Sequence, residues 1–428
     1  MKRILYFGFA FISLLIITGC GSGTGNKAEG PTDSQSTHPK ISPEVALVLK
    51  LVTGQSTQSK EADEEENQLQ KLLKRSITDT SSILYRHSEQ SFANPVPKDM
   101  ASCQYEGRES YIPEIVDANT MRETFIYDWC KKDHPIASHL IERHNGLYIR
   151  EETDPDYTGS DPLRDPYFMT RELIHRMKDY TGEEYDKSTG VLLTHTYYPD
   201  YYYRTTWKFD KIPGIEPRPW SSPYYMSENN IWVSGTARDV FTNGTTYNPD
   251  DDYIYESVYD NYSSEDTHSD YHYKVWCSEK GICDSSAYSG LDKGTENGYK
   301  KVSWEDRKAE KKYSFGALYE NYSTETYRLD LDDNGKLDET DASYYSIDGA
   351  ITPDTCSGEK FVIKTLLSLY KPYKSPCPLD GELEVTRGES KVTFRFKDNQ
   401  TVEVDIGSDG VRDEIVSCQL VVDSDFCM

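Results

Sequence analysis

After residue 17 the chain has no apolar run approaching about eighteen residues, so nothing beyond that point reads as a membrane-spanning helix. It also has no cationic cluster. With 47 Lys and Arg against 73 Asp and Glu, the formal net charge is −26, and a nucleic-acid partner, which needs a concentrated positive face, is not expected. Apolar residues make up 36% even with Tyr counted, below the roughly 45–50% of an average globular chain, so the core is thin for the length. Cys-x-x-Cys, His-Glu-x-x-His, Gly-x-Ser-x-Gly and a phosphate-cradling glycine loop are all missing. With them goes any motif for a zinc finger, a zinc protease, a serine hydrolase or a nucleotide site. No catalytic residue is therefore assigned, and the chain is read as more consistent with a non-enzyme. At roughly 100–200 residues per domain, 428 residues suggest two or three domains.

What is there begins with an address. Lys2 and Arg3 are followed by the mostly apolar Ile4 to Ile17 and then by Thr18-Gly19-Cys20, the layout of a secretion signal too short to anchor a protein. The ending Ile17-Thr18-Gly19-Cys20 resembles the lipobox of bacterial lipoproteins. That resemblance implies cleavage before Cys20, acylation of Cys20 by fatty acids such as palmitate, and attachment to the cell envelope through lipid, at the outer membrane if the cell is Gram-negative. Several acyl chains, at about 0.8 kcal/mol per buried CH₂, hold a protein on a membrane without a spanning helix. Loss of Lys2 and Arg3 takes the formal charge from −26 to −28.

Residues 20–40 are rich in Gly, Ser, Thr and Pro and read as a flexible tether. Residues 41–182 read as helix-rich. Ser42-Pro43-Glu44 opens a short helix that Gly54 stops, and Leu69, Leu72, Leu73 and Ile77 form an apolar stripe on a second. The spacing of Met121, Phe125, Ile126 and Trp129 predicts a helix over 120–132, and that of Met169, Leu173, Ile174, Met177 and Tyr180 predicts another over 165–182. From 183 to 355, Tyr and Thr alternate between Gly, Pro, Asn and Asp turns, a pattern of antiparallel strands. Residues 356–428 read as a disulfide-bonded β-module: Leu383 and Val385, Val392, Phe394 and Phe396, then Val402 and Val404 predict three meandering strands with one buried face. The fold class expected is α+β, helical in front and mostly antiparallel β behind.

Besides Cys20, eight cysteines remain: Cys103, Cys130, Cys277, Cys283, Cys356, Cys377, Cys418 and Cys427. An even number in an exported chain implies disulfides. Local closure favours Cys103–Cys130 and Cys277–Cys283, with the last four pairing among themselves.

The strongest chemical motif is Asp330-Leu331-Asp332-Asp333-Asn334-Gly335-Lys336-Leu337-Asp338-Glu339-Thr340-Asp341. Calcium takes six to eight hard oxygens, and a twelve-residue loop supplies them from positions 1, 3, 5, 7, 9 and 12 around a turn glycine at 6. Those positions are Asp330, Asp332, Asn334, the carbonyl of Lys336, Asp338 and Asp341. The loop resembles that of the EF-hand superfamily, especially the dockerin-like variant whose last ligand is Asp; calcium is the cofactor implied. Because Tyr319 to Leu331 alternates like a strand, a single structural loop is expected rather than a paired switching hand. Asp405, Asp409 and Asp413 form a weaker candidate, with Gly407 where a ligand should stand and Val416 where a last carboxylate should. Asp250-Asp251-Asp252 lacks a turn glycine and is weaker still.

His134, His139 and His144 recur every five residues, which on a helix scatters them around the axis, and Glu172 with His175 is a single copy of a spacing that metal sites use in pairs. Thirty-four Tyr and six Trp, clustered as in Tyr197-Tyr198-Pro199-Asp200-Tyr201-Tyr202-Tyr203 and Trp220-Ser221-Ser222-Pro223-Tyr224-Tyr225, serve either cross-strand packing or a surface for a glycan or an envelope protein. The expectation is a surface-anchored, calcium-binding lipoprotein acting as a binding or structural module of the envelope. Its alternatives are a secreted glycan- or peptide-hydrolysing enzyme with structural calcium, or an accessory factor in envelope assembly or secretion.

Overall fold

A computed structural model of the chain describes residues 44–45, 47–48, 100–135, 137–153, 170–211, 224–242, 250, 252–277, 283–332, 340–354, 358–375 and 377–418. They form one antiparallel sheet of 16 strands whose order in space is their order in sequence. The strands are β1 (Ala101–Ser102), β2 (Glu106–Ile115), β3 (Thr120–Asp133), β4 (Leu140–Thr153), β5 (Thr170–Asp186), β6 (Leu192–Lys211), β7 (Tyr224–Phe241) and β8 (Tyr253–Cys277). They continue with β9 (Cys283–Asp306), β10 (Lys311–Leu329), β11 (Ala342–Pro353), β12 (Phe361–Pro372), β13 (Asp380–Arg387), β14 (Ser390–Lys397), β15 (Thr401–Ile406) and β16 (Glu414–Ser417).

The expected α+β class is therefore wrong, and so is its helical front. Residues 120–132 lie in β3 and 170–182 in β5. The reason is visible along β3. Met121, Glu123, Phe125 and Tyr127 are its buried face, while Ile126 and Trp129, two members of the expected helical stripe, are each 40% exposed. Glu123 disguised the period of two: a carboxylate inside an apolar face reads as a break. Arg150 Nη1 on β4 and Tyr111 Oη on β2 compensate it at 3.0 and 2.7 Å. Of the other two helices, the one predicted from residue 42 is seen in Glu44, Val45, Leu47 and Val48, which are helical and buried. The stripe of Leu69, Leu72, Leu73 and Ile77 lies outside the described residues.

A line of β-bulges crosses the sheet. Asp179, Asn261 and Asn321 take left-handed φ of 48°, 47° and 48°. Beside each, the neighbouring strand carries a positive-φ glycine: Gly146, Gly298 and Gly349. At Gly298 a Cβ would stand 2.2 Å from the carbonyl oxygen of Asn261, so only glycine lets the strands close. The residue after each bulge turns a ring to the inner face: Tyr180, Tyr262 and Tyr322 are all buried. The sequence carries this as a spaced repeat, Met177-Lys178-Asp179-Tyr180, Tyr259-Asp260-Asn261-Tyr262 and Tyr319-Glu320-Asn321-Tyr322. Neighbouring rings join into belts, with centroids 5.7 Å apart for Phe125 and Tyr148, 6.0 Å for Tyr148 and Tyr180, and 5.5 Å for Tyr319 and Tyr322.

Beyond β11 the inner face is aliphatic. Leu383, Val385, Val392, Phe394, Phe396, Val402 and Val404 are all buried, joined by Val45, Leu47 and Val48 in one core. Each such side chain stabilises by roughly 1.5–3 kcal/mol. Glu44 Oε1 pairs with Arg387 Nε at 2.8 Å and fixes the helical residues over the end of β13.

Candidate metal site and the inner face

The expected calcium loop joins β10 to β11, so strands and not helices flank it. Of its proposed ligands, Asp330, Asp332 and Asp341 are described, whereas Asn334, Lys336 and Asp338 lie outside the described residues. The fold brings those three together: one carboxylate oxygen from each lies within 4.8 Å of the others. Two oxygens bound to one calcium at about 2.4 Å can be at most about 4.8 Å apart, so the spacing suits that ion. Asp341 is fully buried, and its Oδ1 accepts the Leu331 N–H at 2.9 Å while its carbonyl accepts the Tyr373 N–H at 2.9 Å. Asp332 Oδ2 accepts the Thr340 hydroxyl at 2.9 Å. First and last turns of the loop are thus tied together, with Asp330, Asp332 and Asp341 close enough to hold a metal ion between them.

The weaker candidate is organised differently. Asp405 is fully buried, but Arg395 Nη2 meets its Oδ2 at 3.0 Å, and the N–H groups of Asp409 and Gly410 reach its two oxygens at 3.1 and 2.9 Å. Asp413 accepts the Ile406 N–H and Asp409 the Val411 N–H. A guanidinium and backbone donors occupy these carboxylates, the wiring of a tight turn. In the run 250–252, Asp252 is buried with its carbonyl accepting the Arg307 N–H, and Asp251 lies outside the described residues.

The histidines sit on a hairpin. His134 and His144 are both buried, while His139 is exposed in the β3–β4 turn. His144 shares a 2.9 Å hydrogen bond with the Tyr180 hydroxyl through Nδ1, and its Nε2 lies 3.5 Å from Glu142, a carboxylate only 1% exposed. Lys132 Nζ stands 3.8 Å from the same carboxylate, and His144 and Lys132 beside it hold the Glu142 carboxyl below its ordinary range against its burial. Glu172 and His175 cannot share an ion, because an odd spacing on a strand sends them to opposite faces. Glu172 pairs with Arg204, while His175 shares a 2.6 Å hydrogen bond with Tyr148, and burial pushes its imidazole down to about 3.

Cys103–Cys130 and Cys377–Cys418 form disulfides, with Cα atoms 5.5 and 6.1 Å apart. The first joins the residue after β1 to β3; the second links the ends of the aliphatic module. Cys277 and Cys283 are Cα partners closing the β8–β9 ladder. Cys20, Cys356 and Cys427 lie outside the described residues. Of the tyrosine clusters, Tyr198, Tyr201 and Tyr203 pack against the inner clusters, whereas Tyr197 is exposed on the outer face. The run from Trp220 to Pro223 lies outside the described residues.

No helix among the described residues is long and apolar enough to cross a membrane. Compared with known proteins, the chain matches no family model, no curated protein and no solved structure.

Proposed function

We propose that this protein is a calcium-stabilised binding module of the bacterial cell envelope, held there by lipid on Cys20 and standing off the surface on the tether of residues 20–40. The observation that carries the calcium reading is the convergence of Asp330, Asp332 and Asp341 within 4.8 Å, at a loop whose sequence supplies the remaining oxygens. A cation there neutralises three carboxylates that otherwise repel one another at the end of the β10–β11 hairpin. The binding reading is supported by the inner face, which is polar and rich in tyrosine through β10 and aliphatic beyond β11.

A ligand that binds only the folded chain raises its melting temperature with concentration. Melting in calcium should therefore exceed melting in chelator by several degrees, and the double variant Asp330→Ala, Asp341→Ala should melt at one temperature in both. Identical curves for the wild-type chain would remove calcium from the reading.

A further inference from the structure

The inner face of β7 to β10 holds a second set of polar side chains that the calcium loop does not use. In register, Asn229 stands beside Asp266, Asp266 beside Gly294 and Gly294 beside Thr324. One step along the strands, Ser264 stands beside Glu296, and Glu296 beside Tyr322. Next to them, Lys300 Nζ lies 3.4 Å from the Tyr262 hydroxyl and 5.0 Å from its ring centre. Gly294 makes room for this group: a Cβ there would come 2.7 Å from Asp266 Oδ1.

Burial is graded. Asn229, Glu296 and Lys300 are 2%, 8% and 6% exposed. Toward the calcium loop, Asp292 pairs with His268 at 2.7 Å and with Arg328 at 2.8 Å on the same face, and Arg328 is already 40% exposed. The polar side chains thus run from Arg328, two residues before Asp330, to the buried Glu296 and Asn229.

Three buried donors in or beside this group have no hydrogen-bond partner among the described residues: Asn229 Nδ2, Tyr322 Oη and Tyr345 Oη. Asn229 Oδ1 accepts the Thr205 hydroxyl at 3.1 Å, which fixes the amide and turns its NH₂ away from β6. Asp266 Oδ2 accepts the Ser264 hydroxyl at 3.3 Å and Lys300 faces Glu296, yet burial still pushes the Asp266 carboxyl up to about 6 and raises that of Glu296. Asp266 and Glu296 would repel an anion, and Lys300 already offsets the carboxylates that would attract a cation. A hydroxyl donates and accepts at once, so a ligand with several can serve the carboxylates and the three donors together, against tyrosine rings.

We propose that this inner-face group binds a neutral saccharide, with Asn229, Glu296 and Tyr322 as its hydrogen-bonding contacts. The inference rests on the reading of the protein as a binding module and names its ligand class.

The test is calorimetric titration of the full chain with a panel of neutral mono- and oligosaccharides, in calcium and in chelator, on wild type, Tyr322→Phe, Tyr345→Phe and Glu296→Gln. Removing an unpartnered buried hydroxyl should leave the melting temperature equal or higher. Tyr322→Phe and Glu296→Gln should each weaken binding at least tenfold, about 1.4 kcal/mol. If Glu296→Gln melts early, Tyr322→Phe decides. Absence of saturable binding by folded wild-type chain overturns the inference, as does affinity within twofold of wild type in folded Tyr322→Phe. Saccharide binding that persists without any calcium-dependent melting shift upholds this site while removing the calcium reading.

Discussion

Asp239 shows what a polar inner face costs. It stands between Thr196 and Tyr255 in register, its Oδ1 has no hydrogen-bond partner among the described residues, and burial pushes its carboxyl up to about 6. An unfolded aspartate titrates near 3.9, so between about pH 4 and 6 the folded chain keeps a proton that the unfolded chain has released. Stability therefore falls as pH rises through that window and then levels off. Asp239→Asn should stabilise the protein by on the order of 2–3 kcal/mol at pH 7.5 and give no gain at pH 3.5, measured by denaturant unfolding at both values. His175 acts with the opposite sign. Its folded value is depressed to about 3, so its contribution is complete above about pH 6.5 and is lost as pH falls toward 3.

At the scale of the element, the unit is a bulge on one strand closed by a glycine on the next. Gly298 and Gly388 separate the two parts of that device. Both have positive φ, but a Cβ at Gly388 meets nothing within 4 Å while one at Gly298 runs into the Asn261 carbonyl. Gly388→Ala should cost about 1 kcal/mol from backbone conformation alone. Gly298→Ala should cost about 3 kcal/mol or more, because β8 and β9 must part. Equal losses in thermal or denaturant unfolding would mean that the bulges do not set the strand packing.

These units also explain what could be read from the chain. Leu383, Val392 and Val404 were legible as strand residues because their face is uniformly apolar and the turns between them are short. β3 and β5 were not. Glu123 occupies the inner face of β3 with its compensating partner Arg150 supplied by β4, and the bulges at Trp129 on β3 and Asp179 on β5 shift the phase of alternation. A two-period interrupted by one extra residue places apolar side chains at intervals that mimic a helix. The signal that could have found β5 was the likeness of Met177-Lys178-Asp179-Tyr180 to Tyr259-Asp260-Asn261-Tyr262 and Tyr319-Glu320-Asn321-Tyr322, whose Asn or Asp tolerates left-handed φ. The convergence of Asp330, Asp332 and Asp341 was legible because their spacing is local; the inner-face group around Glu296 was not, because register alone assembles it from separate strands.

At the scale of the molecule, a thin acidic chain is organised as one long meander that carries a ring-lined polar face in its first ten strands and an aliphatic one after them. Its formal charge of −26 opposes close approach to an anionic membrane. The proposed attachment is lipid on Cys20 through a tether, and Cys20→Ser should move the protein from the membrane to the soluble fraction of cells, as checked by fractionation and acyl labelling. Calcium at the end of the β10–β11 hairpin is the proposal on which the rest depends, and isothermal titration of the metal-free full chain with calcium decides it. One ion should bind per chain, and Asp341→Asn should abolish that binding while the fold is kept; an Asp341→Asn chain that binds calcium as the wild type does would rule the site out.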